Sequence, residues 1–336
     1  MSRFTTARSA RKPAARKVAP PKTTRRYGVE ALEARELMAG NVNVTLSSGN
    51  LTVTGDAQGN GVQIRQISSN QFAVVGLKQA GANTSINGAG FKVFSGVTGN
   101  VTFNMNGGND QVHISDGQGF FASQPGLPTS FQPVKFAKNV TVNLGDGADT
   151  YAADDMTVGG KLKVDGGSGT GIDIVRLDGV TVNAVGSSGQ ALEIDTNGGN
   201  DQVLIDFAEF KGLVDIDTGS ENDLVHLFFA EIENNSDLII RTQAGDDKVE
   251  LFDLLIADDL LVDAGGGNDT VIAVEVEALD EIDINLGLGN DLLQIFELIA
   301  ADVELNGGGG TDKLEDAGGN SPLDISSIET ILDVSE

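Results

Sequence analysis

A repeat of about 22 residues occupies the second half of the chain and constrains its fold more than any other feature. Each repeat is a short apolar segment, a Gly-rich acidic turn and a second apolar segment, and positions are counted here from the aspartate of the turn. The regular turn aspartates, spaced by 22, 24, 22, 22 and 21 residues, are Asp201, Asp223, Asp247, Asp269, Asp291 and Asp312. A fixed period of this length indicates a solenoid, in which each coil buries its apolar face against its neighbours.

The positions around each aspartate predict two strands per coil. Nine and seven residues before it every regular repeat has an aliphatic residue, and Val or Leu follows two residues after it. An interval of two is the period of one strand face, so these side chains are expected to point inward. A third strand is predicted around Phe228, Phe252, Val274 and Phe296. We therefore predict an all-β fold, a parallel β-helix; a leucine-rich repeat would need a Leu-x-x-Leu-x-Leu frame, which these turns lack.

Two earlier turns, at Asp110 and Asp149, fit the same pattern but lie 39 residues apart. The excess falls in an inserted loop, 115–139, which contains Phe120, Phe121, Phe131 and Phe136. Apolar loops usually bury themselves, so we expect the loop to pack on the flank of the stack, with ligand binding as the alternative. In the next coil Gly171 stands where an aspartate belongs, and Asp173 is displaced by two residues.

The chain divides into four predicted regions. Residues 1–40 hold a disordered basic tail and a short helix candidate, 41–100 a β-rich N-terminal cap, 101–320 the β-helix repeats, and 321–336 a C-terminal cap.

The charge of the chain is unevenly distributed. Nine Lys and Arg residues and no acid lie within 1–26, which leaves a formal charge of −36 on the remainder. This acidic excess argues against nucleic acid as a partner. No apolar run of 18 residues predicts a membrane span, and the basic head lacks the apolar core of an ordinary secretory signal.

The turns bring like charges together. Stacked coils would place successive aspartates about 4.8 Å apart, where each pair repels by about 0.9 kcal/mol in water and about 3.5 kcal/mol at an effective dielectric of about 20. Cations, protons or splaying of the side chains into solvent would relieve this repulsion. Calcium takes six to eight oxygen ligands, which Asp carboxylates, Asn side chains and glycine carbonyls of adjacent coils can supply. The alternative is that Gly-Asn-Asp only makes tight turns, with Asn ladders along the stack.

Two resemblances to known families follow from the residues. Residues 307–314, Gly-Gly-Gly-Gly-Thr-Asp-Lys-Leu, match the Gly-Gly-x-Gly-x-Asp-x-aliphatic repeat, and 144–151, 264–271 and 286–293 match it in part. The turns thus resemble those of RTX, or haemolysin-type, calcium-binding proteins. That resemblance implies Ca²⁺ ligands at Asp110, Asp149, Asp201, Asp223, Asp247, Asp269, Asp291 and Asp312. RTX proteins repeat every nine residues, whereas one turn per coil here predicts ions along one edge only.

The segment Leu32–Met38, Leu-Glu-Ala-Arg-Glu-Leu-Met, resembles the Leu-Glu-x-Arg-x-Leu-Leu segment near the N-terminus of many bacterial secreted and surface proteins. That resemblance implies export. The expected function is therefore a secreted or cell-surface, non-catalytic calcium-binding module, with extracellular polysaccharide or surface proteins as candidate partners. The alternative is a carbohydrate-active enzyme, similar to a polysaccharide lyase, which would use Arg241 between Asp217 and Asp263.

Overall fold

The computed structural model describes residues 40–79, 82–115, 126, 131–184 and 189–334. Within them it is all-β, and long parallel sheets stack coil upon coil, which confirms the predicted parallel β-helix. The expected basic tail, the helix candidate, the Leu-Glu-Ala-Arg segment, Phe120 and Phe121 lie outside the described residues. No helix in the described part of the chain is long and apolar enough to cross a membrane.

Each full coil has three faces. The first face precedes the acidic turn and is formed by Asn50–Thr54, Val101–Asn104, Val140–Asn143, Leu162–Asp165, Gln190–Asp195, Leu213–Asp217, Leu238–Arg241, Leu260–Asp263, Glu281–Asn285, Asp302–Asn306 and Asp324–Ser326. The second face follows the turn and is formed by Gly61–Ser68, Gln111–Ile114, Thr150–Asp154, Ile174–Asp178, Gln202–Asp206, Leu224–Phe228, Lys248–Ile256, Thr270–Ala278, Leu292–Ile299, Lys313–Asp316 and Thr330–Asp333.

The third face is formed by Val134–Phe136, Met156–Val158, Thr181–Val182, Glu209–Phe210, Glu231–Ile232 and the C-terminal parts of Lys248–Ile256, Thr270–Ala278 and Leu292–Ile299. It begins later in the chain than the sequence predicts. Phe228, Phe252, Val274 and Phe296 belong to the second face and are half-buried on its outer side. A third strand is present as predicted, but its predicted position was wrong, because the second strand extends beyond its last inward-facing residue.

The core is a set of stacked aliphatic columns inside the coils. The residues nine and seven positions before the turn aspartate and two positions after it are all buried, and so are those four positions after it except Asp316 in the last regular coil; Ile282, Ile284, Leu293 and Ile295 are one such set. Residues of one column pair directly between coils, as Val262 does with Ile284. Because side chains alternate along a strand, the intervening residues point outward, so one alternating pattern builds every coil.

Six further strands lie at the N-terminal end: Asn41–Ser47, Gln71–Gly76, Lys78–Gln79, Ala82–Asn83, Ser85–Ile86 and Phe91–Ser95. Asn41–Ser47 forms an antiparallel hairpin with Asn50–Thr54, and Gln71–Gly76 pairs antiparallel with Gly61–Ser68. Antiparallel partners cover the apolar end of the stack, as solenoid termini require. Asn50–Thr54 and Gly61–Ser68 themselves pair parallel with the coil that contains Asp110, so a first coil precedes residue 101.

The described part of the inserted loop packs onto this end of the stack. Phe136 is 3% exposed, and its ring stacks on Phe72 with the ring centres 5.3 Å apart. The guanidinium of Arg65 lies 4.9 Å from the ring centre of Phe131. Residues 131–136, near the C-terminal end of the loop, therefore pack as the sequence predicts.

Candidate metal-binding edge

The turn aspartates line a single edge, between the first and second faces. All eight predicted site residues, Asp110, Asp149, Asp201, Asp223, Asp247, Asp269, Asp291 and Asp312, are 1–4% exposed. Solvent-facing turn residues would be far more accessible, so the carboxylates do not splay into water. Charged groups this buried require compensation by hydrogen bonds, a proton or a cation.

One oxygen of each carboxylate is used in a hydrogen-bonded ladder between coils. The backbone N–H of Asp247 donates to Oδ1 of Asp269 at 2.8 Å, and the N–H of Asp269 donates to Oδ1 of Asp291 at the same distance. The same bond joins each pair of neighbouring coils from Asp110 to Asp312, at 2.6–2.9 Å. A buried N–H and one carboxylate oxygen thereby satisfy each other in every coil.

The ladder contains three members that the repeat did not identify. Asp173 is 3% exposed, accepts from the N–H of Asp149 at 2.9 Å and donates to Asp201 at 2.7 Å. The turn before Asp173 is therefore two residues longer than a regular turn, yet it places Asp173 at the same position in the ladder. At the N-terminal end Asn60 donates its N–H to Asp110, and at the C-terminal end Glu329 accepts from Asp312 at 2.8 Å. The alternation Val175–Leu177 after Asp173 is the sequence signal that could have located it.

The second oxygen distinguishes this edge from an ordinary turn. Oδ2 of every one of the eight predicted aspartates is buried and has no hydrogen-bond partner among the described residues. The threonines Thr196 and Thr242, five residues before Asp201 and Asp247, are also buried, but their hydroxyls donate to carbonyl oxygens of Thr218 and Ala264. A buried, unpaired carboxylate oxygen costs on the order of 1–3 kcal/mol or more.

Burial shifts the proton affinity of the ladder in one direction. Desolvation, opposed by the ladder hydrogen bonds and reinforced by neighbouring carboxylates, raises the pKa of Asp110, Asp223 and Asp269 to about 7. The pKa of Asp149 and Asp247 rises to about 6 and that of Asp173 to about 8. Burial also raises the pKa of Asp201 and Asp291. The carboxyls whose pKa rises to about 6–8 therefore bind a proton, or a cation in its place, readily near neutral pH.

Glycine at position −2 lets neighbouring turns approach closely. A Cβ on Gly289 would overlap the carbonyl oxygen of Gly267 and lie 2.8 Å from Oδ1 of Asp291, and its φ of 157° is also unfavourable for other residues. The carbonyl oxygen of Gly267 in one coil and the carboxylate of Asp291 in the next therefore both lie close to the space beside Gly289. Glu221 is the exception; it adopts a φ of 75°, and its carboxylate accepts from the N–H of Gly199 at 3.1 Å.

A second ladder runs along the exposed outside of the same edge. Oδ1 of Asn268 accepts from the N–H of Asn290 at 3.1 Å, and Oδ1 of Asp246 accepts from the N–H of Asn268 at 2.7 Å. The side chain of one coil here accepts from the following coil, opposite in sense to the aspartate ladder. This is the Asn ladder of the simple-turn interpretation, and it coexists with the buried carboxylates.

These oxygen atoms are the type of ligand that calcium prefers, but the unpaired carboxylate oxygens alone are too few to complete its coordination. Adjacent coils offer two unpaired Oδ2 atoms, and six to eight oxygens are the usual requirement. Glycine carbonyls at position −2 are the nearest further candidates, because the carbonyls at positions −4 and −3 already accept inter-coil hydrogen bonds, as those of Gly265 and Leu288 do. A separate surface group, Asp237, Asp258 and Asp259, has carboxylate oxygens within 4.8 Å of one another, but it is partly exposed and lies away from the ladder.

Arg241 does not stand free beside the ladder. It pairs in register with Asp217 and Asp263, as predicted, but its guanidinium donates to Asp215 at 2.8 Å. Both partners are about one-third exposed, so the ion pair contributes little to stability. This ion pair holds the Arg241 side chain against the outer surface of the first face.

Fold and edge together define the class: a parallel β-helix solenoid with a buried aspartate ladder along one edge. No protein-family model matches the chain, and no curated protein or solved structure matches it either.

Proposed function

We propose that the protein is an exported, non-catalytic β-helix that takes up calcium along its aspartate edge and acts as a cell-surface or extracellular matrix module. The observation that carries this proposal is the row of eight buried carboxylate oxygens without hydrogen-bond partners among the described residues. A cation that bridges two coils would neutralise two such oxygens at once. Calcium is the expected ion because every candidate ligand is an oxygen and calcium accepts less regular coordination than magnesium does.

The structural role follows from where calcium would act. Neutralising the ladder would stiffen contacts between coils, and a solenoid gains stability from those contacts. An elongated module of this kind is suited to extracellular use, where millimolar calcium is abundant. The Leu-Glu-Ala-Arg segment and the acidic surface support the same location. Extracellular polysaccharide or surface proteins remain the candidate partners, and Arg241, held by Asp215, gives no support to the lyase alternative.

Thermal unfolding followed by circular dichroism tests the calcium proposal. At pH about 8, above the pKa of Asp110, Asp149, Asp223, Asp247 and Asp269, about 5 mM Ca²⁺ should raise the melting midpoint by several degrees relative to EGTA. Mg²⁺ should be less effective, because it demands a tighter octahedral site. A variant with Asp247→Asn and Asp269→Asn should lose part of the response, whereas Asp302→Asn, an exposed control, should retain it. Identical melting in Ca²⁺ and EGTA would defeat the proposal.

A further inference from the structure

A column of side chains projects from the corner between the second and third faces. One residue per coil takes a left-handed conformation there, six positions after the ladder aspartate. The φ angles of Phe207, Phe229, Asp253, Glu275 and Glu297 are 51–55°. Because their backbones match, their side chains leave the corner in parallel, about 4.8 Å apart along the axis. These five residues are called the corner column; Asp155 and Gly179 hold the same left-handed position in the two preceding coils, and Gly318 holds it in the coil that follows.

The first two members form an exposed aromatic step. Phe207 is 59% exposed and Phe229 is 48% exposed. Their rings are nearly parallel with centres 5.5 Å apart, and Phe228 packs edge-on against both. Large apolar groups grouped on a surface mark interaction sites more often than scattered ones do.

The other three members are acidic and border a groove of about 380 Å³. Phe229 also lines this groove, together with Leu255 and Ile299, which are each 46% exposed. A hydrogen bond and charge repulsion from Asp253, together with repulsion from Glu297, raise the pKa of Glu275. The groove therefore combines an apolar floor with crowded negative charge.

Several other acidic groups of the β-helix carry their own cations, although Asp237, Asp258 and Asp259 have no ion pair among the described residues either. Lys211 pairs with Glu209 and Glu233, and Lys248 pairs with Glu250. Among the described residues, no ion pair includes Asp253, Glu275, Glu297 or the neighbouring Glu277. The corner column is thus an acidic row that the described chain leaves without a counter-charge.

We propose that this corner groove binds an extended polypeptide segment of a partner through its lysine or arginine side chains. The methylene stems of such side chains would lie on Phe229, Leu255 and Ile299, and their charged ends would reach the carboxylates, since long basic side chains are apolar along most of their length. The exposed ring faces add cation–π attraction. A second copy would place acid against acid, and a neutral glycan would leave the repulsion unrelieved.

Fluorescence anisotropy with a labelled peptide of four Lys-Ala pairs tests this proposal on the full chain. The buffer contains EDTA, which makes the result independent of the calcium proposal, and about 150 mM salt to screen nonspecific attraction. Replacing both Glu275→Gln and Glu297→Gln should weaken binding at least tenfold. The matched pair Asp258→Asn and Asp280→Asn removes equal charge from another edge and should change binding less than twofold.

A second variant tests the apolar half of the groove. Phe229→Asn removes the ring but keeps a residue that tolerates a left-handed backbone, and it should weaken binding severalfold. Melting curves check that each variant folds. Equal weakening by both charge pairs would mean nonspecific attraction and overturn the proposal. So would no binding at about 1 mM peptide, or binding of neutral glycans or a second copy in its place.

Discussion

Replacing Asp269 by asparagine should stabilise the protein at alkaline pH in the absence of metal. Asp269 is 2% exposed, and burial raises its pKa from 3.8 to about 7. The folded protein therefore keeps a proton that the unfolded chain loses above pH about 4. Because the native state binds more protons across this window, its stability falls as pH rises from about 4 to about 7 and above.

The size of the effect follows from that shift. About three pKa units correspond to about 4 kcal/mol, so Asp269→Asn should gain up to this amount at pH about 8.5. At pH about 5 the folded carboxyl is protonated while the unfolded chain is already about one pH unit above its pKa, so the gain should fall to about 1.6 kcal/mol. Oδ1 of the asparagine can still accept the N–H of Asp247, and Asn60 already occupies the end of the ladder with its side chain fully buried.

Urea unfolding of both proteins in EGTA at pH about 5 and about 8.5 measures the effect. The exposed Asp302→Asn variant controls for the change in net charge. In about 5 mM Ca²⁺ the advantage of Asp269→Asn should shrink or reverse, because the wild-type carboxylate is then neutralised by the ion. The reasoning is refuted if the substitution has the same effect at both pH values, or if metal-free wild type is more stable at the higher pH.

Five further substitutions, one of them a control, test separate parts of the structure. Gly289→Ala should lower stability by at least about 2 kcal/mol, because its Cβ meets the carbonyl of the preceding coil; Gly266→Ala, with only ordinary contacts, should cost much less in the same urea assay. Asn268→Ala removes one rung of the exposed ladder and should lower the free energy of unfolding by about 0.5–1 kcal/mol. Leu293→Ala should cost about 2–5 kcal/mol by calorimetry. Arg241→Ala should shift stability by less than about 1 kcal/mol; loss of a measurable polysaccharide-cleaving activity would instead favour the enzyme.

The alternating pattern of the chain was sufficient to predict the architecture. Aliphatic residues occupy the positions of Ile282, Ile284 and Leu293 in every regular coil, at the same sequence distances from the turn aspartate. Only parallel stacking of the coils buries all three columns. The third face was misplaced, because Phe252 and Phe296 are apolar but point outward. The sequence shows which residues are apolar. It does not show which of them face away from the core where the chain bends at a corner.

Local sequence also determined which residues form the ladder edge, since Gly and Asp mark each turn. Only the tertiary structure decided what those aspartates do. Stacking buries Asp269, pairs one of its oxygens with the N–H of Asp247 and leaves the other oxygen unpaired. It likewise brings Asn60, Asp173 and Glu329 into the ladder from irregular turns. Burial and inter-coil hydrogen bonds depend on residues about 22 positions away, so they exist only once the coils have stacked.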